Sequence, residues 1–500
     1  MGLYDYLRDG LEGIEMAKKI SMKKLCVICL AIYALAAILL YFIAGDAFHF
    51  KSTSSATIDA SAVVGEITQG NDVTQSFSVD SDRFTAYDVK FATYGRTNAA
   101  NVMLTLLDEA GNALDVHRVN AAQLEDNAVY SVVIHEPIVD HNGERFQLVI
   151  ASDAQNAENA VTVYYGNSIN LGRGSVVQSY TEEERVTIGS ATLDGELYLV
   201  LHGETALWVG EYYWLIAVLG FACLAAYSAI IIHKEKYGKT SATINFVRSI
   251  ERYRFLIKQL VSRDFKTKYR RSVLGVFWSF LNPLLTMMVQ YVVFSTLFRS
   301  SIPNYPVYLL SGIVLFNFFN ETTSVGLTSI TSNAPLITKV YVPKYIYPLT
   351  RMLSSGINVA LSLIPLFIVT ICTGVFPAPA WLLLVYDLLC LMAFALGITY
   401  LLSTMMVYFR DTQFLWSVVS MIWMYCTPIF YPENIIPAVL QPVYRMNPLY
   451  QIIKFARCVL IDRVSPEPMS YLICFAVGVI PLLIGIWVFQ RKEKDFVLYL

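Results

Sequence analysis

Hydrophobic and polar positions divide this 500-residue chain into stretches of different period. In residues 1–24, Leu3, Leu7, Leu11 and Ile14 recur at helical spacing, and the stretch ends in Lys18, Lys19, Lys23 and Lys24. That pattern predicts a short amphipathic helix on an anionic cytoplasmic membrane surface. Leu25 to Ala44 (25–44) follows without a charge, and about 20 such residues cross roughly 30 Å of hydrocarbon. No small-residue cleavage site stands behind it, so the reading is a retained anchor with its amino-terminal side in the cytoplasm.

Over 46–210 the period falls to two, in "VTQSFSV", "YDVKFATYG", "NVMLTLL", "RFQLVIAS", "VTVYYG" and "ELYLVLHG", separated by turn clusters such as "DEAGNA" and "DHNGE". Short strands at this spacing predict an antiparallel, jelly-roll-like β-sandwich. Trp214 to Ile232 (214–232) is a second uncharged span, closed by His233, Lys234 and Lys236. From 245 to 500 come further apolar blocks: Val276 to Phe298, Val307 to Leu327, Leu349 to Phe376, Trp381 to Tyr408, Phe414 to Phe430 and Tyr471 to Phe489. The count of predicted transmembrane helices is eight.

Composition and charge sharpen this picture. The chain is 55% hydrophobic and 15% charged, which makes it a multi-pass integral membrane protein. The net charge of -2 conceals segregation: acids outnumber bases by more than two to one between Asp46 and Gly210, while the flanks are basic. Alternating the spans puts Lys266, Lys268, Arg270 and Arg271, then Lys339 and Lys344, then Arg410, then Arg491, Lys492 and Lys494 on one side. Basic loops stay in the cytoplasm, so the β domain is expected outside the cytoplasmic (inner or plasma) membrane. A nucleic-acid-binding tail would not run directly into hydrocarbon, so that partner class is set aside.

The polar stretch carries little that points to metal chemistry. All eight cysteines lie in or beside apolar segments, and Cys26 with Cys29 form a CxxC inside an uncharged run, read as structural. Five of the six histidines, His49, His117, His135, His141 and His202, lie in or beside the β stretch but scattered, and no metal site is assigned. Asp80 and Asp82 in "SVDSDRF" are either a polar turn or calcium ligands. The general look of a carbohydrate-binding sandwich is fold-level analogy alone.

The stretch "RDFKTKYRRSVLGVFWSFLNPLL" (263–285) resembles the start of the membrane domain in ABC-type exporters of cell-surface polysaccharides, O-antigen and teichoic acids. The likeness continues in order through "YLLSGIVLFNFFNE", "SNAPLITKVYVPKYIYPLTR", "VYFRDTQFLW", "YCTPIFYP" and "RMNPLYQII". It covers roughly 250–500 and not the first half. The resemblance implies a six-span permease core with an interfacial helix and a short coupling helix at about 333–345 that fits a groove on an ATPase subunit. Leu336, Ile337, Val340 and Tyr341 would be its buried face, with Lys339 and Lys344 at the rim.

Beside the resemblance stands a physical reading of the same residues. The basic segment suits an interfacial helix with Phe255, Leu256, Leu260 and Phe265 toward lipid and Lys266, Lys268, Arg270 and Arg271 toward headgroups or a phosphorylated lipid. Positive-inside anchoring alone would also account for any one of these cations. Trp278, Asn282 and Pro283 open the next helix, where proline breaks the hydrogen-bond ladder and suits a kinked, pore-lining element. Glu321, near Asn317 and Asn320, faces either a cavity or a helix boundary, because an ionised acid inside the bilayer costs about 2.5–3.5 kcal/mol. Asp387 can reach the outer interface. The aromatics Phe316, Phe318, Phe319, Trp423, Tyr425, Phe430 and Tyr431 form either an interfacial belt or the lining of a glycan conduit.

No GxxxxGK[ST] motif occurs, so ATP hydrolysis is assigned to a partner. No catalytic residue and no cofactor are assigned to this chain; ATP and Mg would sit on the ATPase. A six-span half needs a twin, so a homodimer with two ATPases is expected. The expected fold is an α-helical polytopic membrane protein with an all-β extracytoplasmic domain inserted between its first two helices. The expected function is the permease subunit of an ABC transporter exporting a lipid-linked polysaccharide or teichoic-acid-like polymer. The alternatives are an efflux permease for small amphiphiles or lipids, and a membrane-anchored glycan-binding receptor.

Overall fold

A computed structural model describes residues 21–500 apart from 56, 141–142, 167, 171–184, 240, 271, 299–301, 303, 340–341 and 438. Most of the expected amino-terminal amphipathic segment, together with Arg271, Val340 and Tyr341, lies outside the described residues. The chain forms two units: an all-β unit over 48–211, and a helical unit built from the segments before and after it.

Among the described residues, the period-two segments become two large antiparallel sheets, beside a two-stranded pair of Thr57–Asp59 with Ser168–Asn170. One runs Phe50–Ser54, Leu199–Ala206, Arg83–Ala92, Thr162–Gly166, Glu196–Leu197, with Val129–Val139 also paired to Arg83–Ala92 and Ala62–Val63 to Thr162–Gly166. The other runs Ala191–Thr192, Thr187–Ile188, Val73–Ser78, Arg145–Ser152, Asn101–Leu107, Ala113–Asn120. Alternation sends Phe84, Val89 and Phe91 from the first sheet, and Val102, Leu104, Leu106, Phe146 and Leu148 from the second, into one core. Phe146 joins the layers, 5.9 Å from the Phe84 ring and 6.1 Å from Phe77. The histidines are less scattered than their spacing indicates: His135 Nδ1 meets Asp115 at 2.7 Å and His202 Nε2 meets Asp88 at 2.8 Å. Asp82 accepts a 2.7 Å bond from the Ala206 amide, which gives it a structural task. Among the described residues no group of three or more His, Cys, Asp and Glu side chains could hold a metal ion.

Among the described residues of the helical unit, six elements are long and apolar enough to cross a membrane. These are α1 (Met22–Ala44), α2 (Tyr213–Lys236), the Phe277–Ser295 part of α4 (Phe277–Phe298), α6 (Ile346–Cys372), the run Pro379–Tyr408 containing α7 (Leu384–Tyr408), and α10 (Pro468–Lys492). Between them lie α3 (Ala242–Tyr269), α5 (Tyr305–Leu327), α8 (Thr412–Tyr425) and α9 (Pro448–Arg457). Two of the eight predicted blocks therefore depart from ordinary spans. α5 has 23 residues but carries Asn317, Asn320 and Glu321, and most of its residues are wrapped by neighbouring helices. α8 has 14 residues, about 21 Å at the helical rise, and stops at Tyr425 rather than continuing to Phe430.

Pro428 and Pro432 explain the stop, since each bars its predecessor from helical geometry and supplies no amide donor. The carbonyls exposed by that turn are answered from other helices. Tyr305 donates to Phe430 O (2.6 Å), Tyr308 to Pro428 O (3.1 Å) and Tyr431 O (2.9 Å). Arg457 donates to Pro428 O (2.8 Å), Ile429 O and Tyr308 O (both 3.2 Å), with its guanidinium carbon 3.3 Å from the centre of the Tyr308 ring. Non-helical backbone persists in an apolar setting only where such partners are supplied.

Close helix approach depends on glycine. A Cβ on Gly485 of α10 would fall 2.3 Å from the Gly397 carbonyl of α7, and one on Gly478 would fall 2.8 Å from the Cys390 carbonyl. Small residues let these backbones pack directly where no hydrophobic effect drives helices together. α1 and α2 pair through Tyr213 OH to Ala37 O (2.6 Å) and Tyr33 OH to Ala217 O (3.2 Å).

Candidate functional site

The basic segment ends α3 against α5 and α6, and helical spacing aligns the polar residues of all three. Asp264 and Lys268 stand four apart on α3, and Arg351, Ser355 and Asn358 follow one face of α6. They enclose a chamber of about 610 Å³ lined by Arg263, Asp264, Lys268, Glu321, Asn333, Arg351 and Ser355 among others. Glu321 is its centre: it accepts from Lys268 Nζ at 2.8 Å, from Asn358 Nδ2 at 2.6 Å and from Ser355 Oγ at 3.4 Å. Asn358 also accepts from Tyr269 OH at 3.0 Å, and Tyr269 meets Ser279 at the start of α4. A second node is Asp264, 2.8 Å from Arg351 and 3.1 Å from Arg263. Glu321 therefore faces a cavity with a bound partner rather than lipid.

These pairings sort the cations. Lys268, Arg263 and Arg351 are engaged by carboxylates. Lys266 and Arg270 are exposed and make no ion pair among the described residues. Together with Arg263 they line a neighbouring cavity of about 650 Å³, whose other described lining residues include Phe265, Tyr269 and Gly275 and, among the described residues, no acid. Arg270 has extended backbone just beyond the last turn of α3, so the chain leaves the helix there. Leu256 and Leu260, expected toward lipid, instead pack against the protein core; Phe255 is exposed, and Phe265 lies 5.1 Å from the Tyr269 ring. The correction follows from α3 packing on α6, which a single-helix pattern does not register.

The expected conduit residues separate into two groups. Phe316 and Phe319 are buried, and Phe319 stacks on Phe394 at 5.2 Å with Trp416 and Trp423 edge-on. Trp423 donates to Asn447 at 2.9 Å. Phe430 is buried, stacked 5.4 Å from Phe294, and the Tyr431 hydroxyl donates to Tyr425 O at 2.8 Å. Phe316, Phe319 and Phe430 are core within one chain, a correction to the lining role, because aromatic packing buries them between helices, while Trp423 and Tyr431 are half-buried. Trp278, Asn282 and Tyr425 are exposed, and Pro283 lies inside α4 with its ring buried. Asp387 is fully buried in α7.

The expected coupling segment is a tight turn, Thr331–Asn333, leading into the single helical turn Ala334–Ile337. Ile337 is buried and Leu336 packs against this chain's own core, so neither is free to be a docking face. Lys344 donates to the Glu493 carbonyl and lies 5.7 Å from the Phe496 ring, tying the segment to the end of α10. Pro335, Thr338 and Lys339 remain exposed. Asp264, Arg351, Asn333 and Asn358 are the residues that sequence reading missed. A lone acid inside a run of five cations is the signal that could have marked Asp264.

With this geometry in hand, the chain can be compared with known proteins. The family described as ABC-2 type transporter matches residues 255–461. An O-antigen export system permease protein of Klebsiella pneumoniae is 30% identical over 248 residues, 48% of this chain and 93% of that protein. One from Myxococcus xanthus is 28% identical over 257 residues, 51% of this chain and 98% of that protein. A polysialic acid transport protein of Escherichia coli is 22% identical over 243 residues, 48% and 93% respectively. The chamber, the second cavity and the turn held by Arg457 all fall within the matched stretch, whereas the β unit falls outside it.

Proposed function

Because the chain belongs to the ABC-2 type transporter family, as a permease, we propose that it exports a lipid-linked cell-surface polysaccharide or teichoic-acid-like polymer. A separate ATPase supplies the energy, and two copies of this chain form the pathway across the cytoplasmic membrane. The β unit stands on the extracytoplasmic side. The relatives' roles in O-antigen export and polysialic acid transport support the substrate class. One observation carries the finer reading: Lys266 and Arg270, in no ion pair among the described residues, share a cavity with no acid among its described lining residues, directly before the helix that carries Asn282-Pro283. A lipid carrier presents phosphate, and a planar guanidinium meets phosphate oxygens with two hydrogen bonds and stays charged at cellular pH. Lys268 and Glu321 beside it form the closed, charge-neutral wall of the entrance.

The test is surface polysaccharide in cells carrying Arg270→Gln or Lys266→Gln, with permease abundance and topology measured in parallel. Losing one charge-assisted contact should weaken carrier binding about ten- to a hundredfold, so export should fall in Arg270→Gln at normal abundance. Full export from both variants would sink the phosphate-binding role. Anchoring alone leaves single charge removals silent, because orientation depends on the summed bias of many loops.

A further inference from the structure

The β unit lies outside the matched family stretch, and the export reading gives it no task. Its first sheet carries an uncommon arrangement on the face away from the core. Val163 and Phe91 are register partners, as are Leu199 and Val89. Lys90 therefore lies opposite the junction where the strand carrying Tyr164 gives way to the strand that follows Tyr198. Buried neighbours on both sides of each residue (Val89 and Phe91, Leu197 and Leu199) turn Lys90 and Tyr198 outward. Lys90 Nζ stands 4.4 Å from the Tyr164 ring centre and 5.9 Å from Tyr198. The Tyr198 amide donates to Tyr164 O at 2.8 Å, and the Tyr164 hydroxyl donates to Asn127 Oδ1 at 2.5 Å.

Lys90 makes no ion pair among the described residues. Asp88, two residues away on the same strand, is engaged by His202 at 2.8 Å, and Glu196 stands two residues before Tyr198. Lys90 is thus a cation held against two tyrosine rings, in no ion pair among the described residues, while Asn127 beside them donates to Asp126 Oδ2 at 3.2 Å. The half-exposed rings present flat π surface beside one amide and two phenol groups. That is the chemistry which meets a sugar: C–H faces pack on the rings, hydroxyls bond the amide and phenols, and an anionic substituent meets the ammonium. Nucleic acid does not fit, since its backbone needs a cationic surface rather than one lysine.

We infer that Tyr164, Tyr198, Lys90 and Asn127 form a glycan-binding platform for a segment of an acidic polymer, one bearing carboxylate or phosphate substituents. The inference rests on the export reading, because it takes the occupant to be the chain's own cargo. The platform receives the polymer after it has left the membrane path and is separate from the cavity of Lys266 and Arg270.

The experiment uses the full chain in nanodiscs and, as probe, surface polysaccharide from producing cells, cleaved by mild acid to soluble fragments. The wild type should bind the fragments, with affinity falling as salt rises. Tyr164→Ala and Tyr198→Ala should each weaken binding about tenfold, the worth of a lost aromatic contact, while Tyr164→Phe, which keeps the ring, should retain most of it. Lys90→Gln should remove the salt dependence, and fragments whose acidic groups have been neutralised chemically should bind wild type and Lys90→Gln alike. No binding by the folded wild type, or undiminished binding by both alanine variants, overturns the platform. So does loss of a co-purifying protein with glycan binding unchanged, which would make the face a protein-docking surface. Export measured in the same strains separates the two readings: normal export with no fragment binding removes the platform alone, whereas unchanged surface polysaccharide after deletion of the permease removes the export reading.

Discussion

Lys268 Nζ lies 2.8 Å from Glu321 Oε1, joining the end of α3 to the interior of α5 across 53 residues of sequence. The pair converts two costly groups into one polar wall, with Asn358 and Ser355 converging on the same carboxylate oxygen, Oε1. Both side chains keep partial contact with solvent, 43% and 30% exposed, so their mutual attraction is worth no more than about 1 kcal/mol. Lys268→Gln and Glu321→Gln should each lower the melting temperature slightly. The exchanged pair Lys268→Glu with Glu321→Lys should recover part of the loss, read as a coupling of about 0.5 kcal/mol or more in a double-mutant cycle. Strict additivity would dissolve the link.

Arg457 should be irreplaceable by lysine. Its guanidinium serves three carbonyls and lies flat on Tyr308, a geometry that an ammonium point charge does not reproduce. Arg457→Lys and Arg457→Met should both reduce thermal stability, by about 1–3 kcal/mol for each buried carbonyl left unpaired. Export should fall with them, because the turn at Pro428 loses its shape. A stable, exporting Arg457→Met variant would show that the turn holds without the clamp.

For the ATPase, the prediction moves to the surface that the coupling segment leaves open. Lys339→Glu should abolish copurification of the ATPase while the permease stays folded, since Lys339 is exposed and the apolar residues before it are turned inward. Ile337→Asp should instead destabilise the permease itself, because it places a charge in the core. Unimpaired ATPase recovery with Lys339→Glu would remove this segment from the interface.

Orientation can be read with thiol chemistry. In a background where the native cysteines are replaced, cysteine at position 110, in an exposed turn of the β unit, should react with an impermeant reagent in spheroplasts. Cysteine at 492, at the end of α10, should not. The opposite labelling would invert the topology drawn from the basic loops.

Hydrophobic period by itself determined the division into a β unit and membrane helices, because alternation at two and unbroken apolar runs are local properties that the backbone must obey. The ordered blocks from Arg263 onward likewise pointed to the family without any coordinates. What only the tertiary structure decided is which polar groups meet. Lys268 could not be told from Arg270 in the sequence, yet one is bound to Glu321 and the other is in no ion pair among the described residues, because α3 crosses α5 and α6 at a height that no spacing encodes. Phe319 looked like lining and is core, because it packs between helices with Phe394 stacked on it and the half-buried Trp423 edge-on. The short α8 followed from two prolines legible in the chain, but the tyrosines and arginine that satisfy its turn come from elements up to 149 residues apart. Local pattern fixes an element's type through the backbone; partners across elements are set by packing, where a single chain position has no memory of its neighbours in space.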